Sequence, residues 1–247
     1  MKGKHKPYGP YERFVKRPLD CVLAVIALIL LSPVLGIVAL LIKRKLGPPV
    51  LFTQMRPGLI DPKTGRERIF KMYKFRTMTD ARDQEGNLLP DEMRLTAFGK
   101  LLRSTSLDEL PELWNIIKGD MAVIGPRPQL VRDMVFMSDE QRQRHTVRPG
   151  LSGLAQIRGR NAIDWETKLN SDLEYIKKIT FLTDIKIILK TVWKVLKREG
   201  ISEDGMDTAV DYGDYLLNIK SIDQRKYNAL QNYAGDLLQK NISKKYI

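Results

Sequence analysis

The feature that most constrains this chain is an uncharged run of 22 residues, positions 21–42 (CVLAVIALILLSPVLGIVALLI), with basic clusters on both sides. As one straight helix it is long enough to cross a hydrocarbon core of about 30 Å, so a single-pass anchor is one reading. A cleaved signal peptide fits poorly. The run is longer than a signal-peptide apolar region, and Lys43-Arg44-Lys45 follows it in place of small residues. Two features oppose a straight span. Lys2, Lys4, Lys6, Arg13, Lys16 and Arg17 precede the run, so a spanning helix leaves one basic cluster on the side that positive charge avoids. Ser32-Pro33 lies near its middle, where proline donates no amide hydrogen bond and crowds the carbonyl of Ile29. Each arm is then about 11 residues, or roughly 16 Å, half the membrane core. The expectation is a re-entrant helix-break-helix that returns to the cytoplasmic face, with the Ser32 hydroxyl helping to satisfy backbone groups freed at the break.

Composition narrows the chemistry. The 247 residues hold 42 Lys+Arg against 29 Asp+Glu, a formal charge of +13. Cys21 is the only cysteine, which excludes an intramolecular disulfide framework and a zinc cage of several thiolates. His5 and His145 are the only histidines, a poor supply for histidine metal sites or Ser-His-Asp schemes. A hard cation such as Mg²⁺ on carboxylates remains open. There is no GxxxxGK[ST], no HExxH and no GxGxxG after a strand.

The chain divides by composition into residues 1–48 (basic flank and apolar helix), 49–198 (cytosolic globular domain) and 199–247 (acidic C-terminal extension). The expected fold is α+β, mainly α, with one small β-hairpin and amphipathic helices at the membrane interface. The segments VLFTQM and ERIFKMYKFRTM read as strands joined by a turn at 61–65. Helices are expected at about 95–103, from Asp108, at 129–144, at 164–198 and at 222–239. A short strand and a rigid GPRP loop follow the helix that ends near Gly119, and 148–161 reads as irregular. Along 185–196, Ile185, Ile188, Leu189, Val192, Val195 and Leu196 repeat at helical spacing opposite Lys186, Lys190, Lys194 and Lys197. A core helix and a helix lying in an anionic membrane surface both fit that pattern.

The most informative stretch is RSTSLDELPELWNIIKGDMAVIGPRP, residues 103–128. It holds adjacent carboxylates, Asp108-Glu109, at a helix start. One reading is a capping box, with Ser106 as N-cap and Glu109 reaching back to its amide. The other is a carboxylate pair that binds Mg²⁺ and attacks a phosphate. An ionised carboxylate needs no general base to act as nucleophile, and Arg103, Arg127, Lys74 and Arg76 are nearby cations suited to phosphate.

Several long motifs in order resemble one family: the basic-flanked apolar helix with Ser32-Pro33, YKFRTM at 73–78, LRSTSLDELPELWNIIKGDM at 102–121, VIGPRP at 123–128, VRPGLSGLAQIRGRN at 147–161, and DLEYI…FLTDIKIILKT at 172–191. Over about 13–198 the chain resembles the monotopic phosphoglycosyl transferases, bacterial sugar transferases that act on polyprenyl phosphate. The resemblance implies transfer of a sugar-1-phosphate from a UDP-sugar to polyprenyl phosphate, such as undecaprenyl phosphate, at the cytoplasmic face of the inner membrane. It implies that Asp108 attacks the donor, releases UMP and carries a covalent phosphosugar in a ping-pong cycle, while Glu109 joins it in holding Mg²⁺. Substrate contacts are implied for Lys74, Arg76, Arg103, Pro126, Arg127, Pro128, Arg148, Arg160, Asn161 and Asp184, and the helix break for Ser32 and Pro33. The expected partners are the UDP-sugar, polyprenyl phosphate and anionic lipids, without nucleic acid. The resemblance is to the small form, lacking the multi-pass N-terminal region of larger members. The C-terminal extension is a candidate contact for a homodimer or a pathway enzyme. Two rivals stand beside the enzyme: a membrane-tethered nucleic-acid binder, which the charge permits although no recognised motif accompanies it, and a catalytically silent scaffold. A Lys4→Cys chain in a Cys21→Ser background tests the topology. The cysteine should stay protected from an impermeant reagent outside intact cells; labelling there contradicts a re-entrant helix.

Overall fold

The computed structural model describes residues 5–159, 163–197 and 210–243. A widened turn, Tyr11–Val15, leads into α1 (Lys16–Leu30), and α2 (Ser32–Lys45) follows after one hinge residue, Leu31. The chain turns by 62° between the two arms, a wide V rather than two antiparallel helices. Pro33 sits in the first turn of α2, where a missing N–H costs least. Ser32 Oγ donates to Ile29 O at 2.8 Å, the carbonyl that the proline strands. Among the described residues no single helix is long and apolar enough to cross a membrane; the bent pair meets that test only jointly.

Each arm has two faces. Ala24, Ala27 and Leu28 of α1 pack against Phe70, Met72, Leu113 and Ile116. Leu35, Val38, Ala39 and Ile42 of α2 pack against Phe75, Phe98, Leu102 and Leu107. The outer faces, Val22, Ile26, Ile29 and Leu30 and then Val34, Ile37 and Leu40, are apolar and exposed.

The remaining architecture is mainly helical α+β with two small sheets. β1 (Leu51–Ile60) pairs antiparallel with β2 (Glu67–Phe75). Phe52, Gln54 and Arg56 oppose Lys74, Met72 and Phe70, so one face of this ribbon carries Gln54, Arg56 and Lys74. Then come α3 (Asp91–Arg94), α4 (Ala97–Ser104), a single 3₁₀ turn at Leu107–Glu109, and α5 (Glu112–Lys118). β3 (Ala122–Ile124) pairs parallel with β4 (Gly150–Ser152). Between these strands lie α6 (Val131–Met134) and a 3₁₀ segment, Gln141–Thr146. After them come α7 (Leu154–Arg158), α8 (Trp165–Lys177), α9 (Phe181–Lys197), α10 (Tyr212–Asn218) and α11 (Gln224–Ser243).

Four expectations need correction. Residues 129–144 are not one helix: Ser138 and Gln141 exchange side-chain-to-amide bonds (2.9 and 3.2 Å) and restart the chain. Residues 148–161 are not irregular throughout, because 150–152 is a strand and 154–158 a helix. The glycines there permit close approach: a Cβ at Gly150 would lie 2.1 Å from Gly125 N. The helix over 164–198 breaks at 178–180, where the Thr180 hydroxyl accepts from Thr183 N and starts α9. Ser106 gives the 3₁₀ turn that follows it no side-chain capping bond; its backbone is left-handed, φ 55°. The acidic extension also folds back onto the body. Tyr212 and Ala234 are buried, Tyr212 N donates to Asp133, and Ala234, Leu237 and Leu238 cover Val131 and Met134.

On α9, Asp184 and Ile187 face the core, while Leu182, Leu189, Val192, Trp193 and Leu196 stay exposed on the other side. The helix is thus anchored by one stripe and presents a second apolar face with lysines beside it.

His145 is buried, with Nδ1 3.1 Å from Glu67 and Nε2 3.3 Å from Arg144 Nη1, an arrangement that only neutral imidazole satisfies. Burial, opposed in part by Glu67, holds its pKa down to about 4. Burial pushes Glu67 up, but His145 and Arg142 outweigh that and set it at about 2. The unfolded chain binds a proton on His145 below its ordinary value of about 6.5, and the folded chain refuses it until about 4. The stability that His145 contributes should therefore be full above pH 6.5 and be lost as pH drops toward 4, against an opposite contribution from the raised carboxyls of Asp108 and Glu112. Melting temperatures across that range should show a shallower slope in His145→Gln; an unchanged slope contradicts this source of acid sensitivity.

Candidate active site

The site begins with a fully buried asparagine. Asn115 accepts from Tyr73 N (3.1 Å) and donates to Lys71 O (2.7 Å), stitching α5 to β2. Gly119, at φ 90°, ends α5 in the left-handed conformation that glycine adopts freely, and Arg17 of α1 donates to Ile116 O (2.6 Å) and Ile117 O (3.0 Å) at the same end. The turn before α5 is thereby held against the ribbon face that carries Lys74.

Two cations meet Glu109 there. Lys74 Nζ lies 2.8 Å from Glu109 Oε1 and 3.3 Å from Glu112 Oε1. Arg127 addresses Glu109 with both terminal nitrogens, Nη2 to Oε1 and Nη1 to Oε2 at 3.4 Å. This two-armed contact suits the planar guanidinium. Asp108 is buried, yet its carboxylate makes no hydrogen bond or ion pair among the described residues.

The electrostatics separate these acids. Burial and the neighbouring Glu109 charge push Asp108 up to about 6, against the pull of Lys74, Arg127 and Arg103. Burial alone would raise Glu109, but Arg127 and Lys74 hold it well below the usual carboxylate range. Burial pushes Glu112 up to about 7. Arg127 is held above its ordinary value, chiefly by Glu109.

The other expected site residues fall into separate settings. Arg103 donates to Thr77 Oγ1 at 3.1 Å, and its charge reaches Asp108. Arg76 spends its guanidinium on Leu46 O, on Gly47 O (2.5 Å) and on Asp80 (2.8 Å), tying the end of α2 to β2. Arg148 donates to Gly119 O at 3.0 Å, behind α5. Asp184 is buried among Tyr11 OH (2.7 Å), Lys16 Nζ (2.6 Å) and Tyr175 OH (2.8 Å), and shares none of the partners of the Asp108-Glu109 pair. Pro126 and Pro128 flank Arg127 in the loop after β3. Ser32 and Pro33 are at the exposed bend of the helix pair. Arg160 and Asn161 lie outside the described residues.

Sequence reasoning passed over Glu112, Asn115, Arg56, Arg144 and Asp172. Arg56 Nη1 donates to Pro128 O at 3.2 Å, and Arg144 Nη2 to Arg127 O at 2.5 Å. The register between β1 and β2, shifted by a bulge between Pro57 and Ile60, places Arg56 on the face of Lys74, and that shift leaves no signal in the sequence.

Mg²⁺ favours oxygen ligands and commonly takes one or two carboxylates plus substrate phosphates and water. The Asp108 carboxylate, unpaired among the described residues, fits that habit beside Glu109. Among the described residues no group of three or more His, Cys, Asp or Glu side chains forms an all-protein metal cage.

Comparison with known proteins gives the family. A family model described as "Bacterial sugar transferase" matches residues 11–198, and the chain belongs to that family. It is an enzyme of the phosphoglycosyl transferase class. The chain is 46% identical over 195 residues to a protein of Bacillus subtilis (strain 168) named "Uncharacterized sugar transferase EpsL", covering 79% of this chain and 94% of that one. It is 39% identical over 197 residues to the UDP-N-acetylgalactosamine-undecaprenyl-phosphate N-acetylgalactosaminephosphotransferase of Aeromonas hydrophila, covering 76% of this chain and 45% of that protein. It is 38% identical over 202 residues to the UDP-glucose:undecaprenyl-phosphate glucose-1-phosphate transferase of Escherichia coli (strain K12), covering 76% and 41%. The chain therefore spans nearly all of the first relative and less than half of the other two.

Replacing Asn115 by Leu strands Tyr73 N–H and Lys71 C=O in the interior. The cost should be about 2–4 kcal/mol, read from denaturant unfolding; a loss of a few tenths contradicts the stitching role.

Proposed function

We propose that this chain moves a sugar-1-phosphate from a UDP-sugar to a membrane polyprenyl phosphate, most simply undecaprenyl phosphate, at the cytoplasmic face of the bacterial inner membrane. The observation that carries the proposal is the buried Asp108 carboxylate, unpaired among the described residues, beside a Glu109 already clamped by two cations. An Asp108 oxygen bonds to the sugar-bearing phosphorus. The bond from that phosphorus to the bridging oxygen breaks, and UMP leaves with the electron pair. An oxygen of polyprenyl phosphate then attacks the aspartyl phosphosugar, giving the lipid diphosphate sugar and restoring the carboxylate. Phosphoryl transfer depends on positioning and charge neutralisation, which Lys74, Arg103 and Arg127 are placed to supply. Asp108 and Glu109 would hold Mg²⁺, which when bound would supply positive charge to offset the negative charge of the donor phosphates and of the departing UMP. Pro126, Arg127 and Pro128 form the wall toward the nucleotide.

The bent helix supports a re-entrant placement, in which the exposed apolar faces of α1 and α2 enter lipid and the exposed face of α9, with Trp193, lies along the headgroups. Basic flanks then hold the enzyme to anionic lipid. This topology brings a soluble nucleotide sugar and a lipid phosphate to one place.

The test is isotope exchange without acceptor. Labelled UMP should enter UDP-sugar in the presence of enzyme and Mg²⁺, as a two-step cycle requires. Asp108→Asn should reduce exchange on the order of 10³-fold or more while leaving membrane association intact. Turnover with lipid acceptor but no such exchange contradicts the ping-pong order.

A further inference from the structure

The loop that carries Arg127 has an unusual anchoring problem. Pro126 and Pro128 have no N–H, so Arg127 offers the only amide donor in the tripeptide. The loop is instead held by its carbonyls, each met by a donor from elsewhere. Gly150 N meets Pro126 O at 3.0 Å, Arg144 Nη2 meets Arg127 O at 2.5 Å, and Arg56 Nη1 meets Pro128 O at 3.2 Å.

Arg144 makes the shortest of these contacts, from a fully buried side chain. Its side chain is 1% exposed, as is that of Asp172 on α8. Arg144 Nε and Nη2 lie 2.9 and 2.6 Å from Asp172 Oδ2, while Asp172 Oδ1 has no partner among the described residues. Nη1 faces His145 Nε2. A buried ion pair is often no more stabilising than well-packed apolar residues of the same size. Stability alone therefore gives weak reason for this pair, whereas its further bond gives a specific one. That bond ends on the residue whose guanidinium grips Glu109.

We propose that Arg144, held by Asp172, is a positioning residue for the transfer: it fixes the Arg127 carbonyl so that the Arg127 guanidinium faces Glu109 and the donor diphosphate. The inference rests on the sugar-phosphate transfer reading of the site. Arg144 itself touches neither Asp108 nor Glu109; it acts through Arg127. Misplacing a group that neutralises charge by about 1 Å costs on the order of 10²-fold in rate.

The paired replacement R144M/D172L, in the full-length membrane-embedded protein, removes both charges together and avoids stranding either one. Its melting temperature should stay within a few degrees of the unmodified chain, while exchange of UMP into UDP-sugar falls by roughly 30- to 100-fold. In an Arg127→Ala background the same pair should cost less than threefold, because the residue being positioned is already gone. A crystal structure of R144M/D172L should show Arg127 withdrawn from Glu109, a result that does not depend on any reaction. Should the paired variant melt early, Arg144→Lys retains the charge for Asp172 without the guanidinium fork and carries the same cycle. Unchanged exchange, an equal loss with and without Arg127, or Arg127 still seated on Glu109 would each overturn the proposal. Absence of exchange in the unmodified enzyme would instead count against the transfer reading, and the crystal structure would then decide the positioning claim alone.

Discussion

The site depends on how the bent apolar pair packs on both sides of two carboxylates. Leu107, immediately before Asp108, is covered by α2 together with Phe98 and Leu102. Leu113 and Ile116, one to two turns after Glu109, are covered by α1 with Phe70 and Met72. The two arms are thus the floor beneath the carboxylate pair as well as the apolar exterior of the protein. Pro33 sets the bend, and Ser32 quiets the carbonyl that the bend exposes. With the chain turned by 62° at Leu31, one arm covers Leu107 and the other Ile116, so the kink also shapes the chemical centre.

Above that floor, charge is arranged in opposed layers. Asp108, Glu109 and Glu112 crowd the start of α5, and Lys74, Arg127 and Arg103 approach from the ribbon, the proline-flanked loop and α4. Glu109 absorbs two of these cations, and Asp108 is left without a hydrogen-bond or ion-pair partner among the described residues. Crowded like charges resist simultaneous ionisation, and that resistance is relieved as further positive charge enters. In the proposed reaction a polyanionic donor would compete with Glu109 for Lys74 and Arg127, and a divalent cation would compensate the carboxylates released. The resting arrangement is therefore poised for exchange of partners rather than filled by them.

Much of this was legible in the sequence, and the remainder was hidden for identifiable reasons. The helix break was readable because a proline within an uncharged run has one mechanical consequence. The ribbon was readable from alternation at 67–78 and the Asp61-to-Gly65 turn. The supposed capping box at Ser106 failed because a positive φ at a serine leaves no mark in sequence, and Glu109 found stronger partners in Lys74 and Arg127. The break inside 129–144 carried a signal, Ser138 three residues before Gln141, that apolar periodicity obscured. Arg144 and Asp172 were hidden most completely. They are 28 positions apart, and nothing local distinguishes a buried ion pair from two surface charges. Arg76 looked like a phosphate ligand by its motif, and the fold uses its guanidinium to fasten the end of α2.

The most direct measurement is the intact mass of the purified, lipid-embedded enzyme after mixing with Mg²⁺ and individual UDP-sugars in the absence of acceptor, followed by peptide mapping. One donor should add the mass of a single sugar phosphate, located on the peptide containing Asp108 and removed by polyprenyl phosphate. The donor that does so also identifies the sugar. Efficient product formation with acceptor, without that adduct under rapid quenching, or an adduct that persists in Asp108→Asn, would contradict covalent transfer through Asp108.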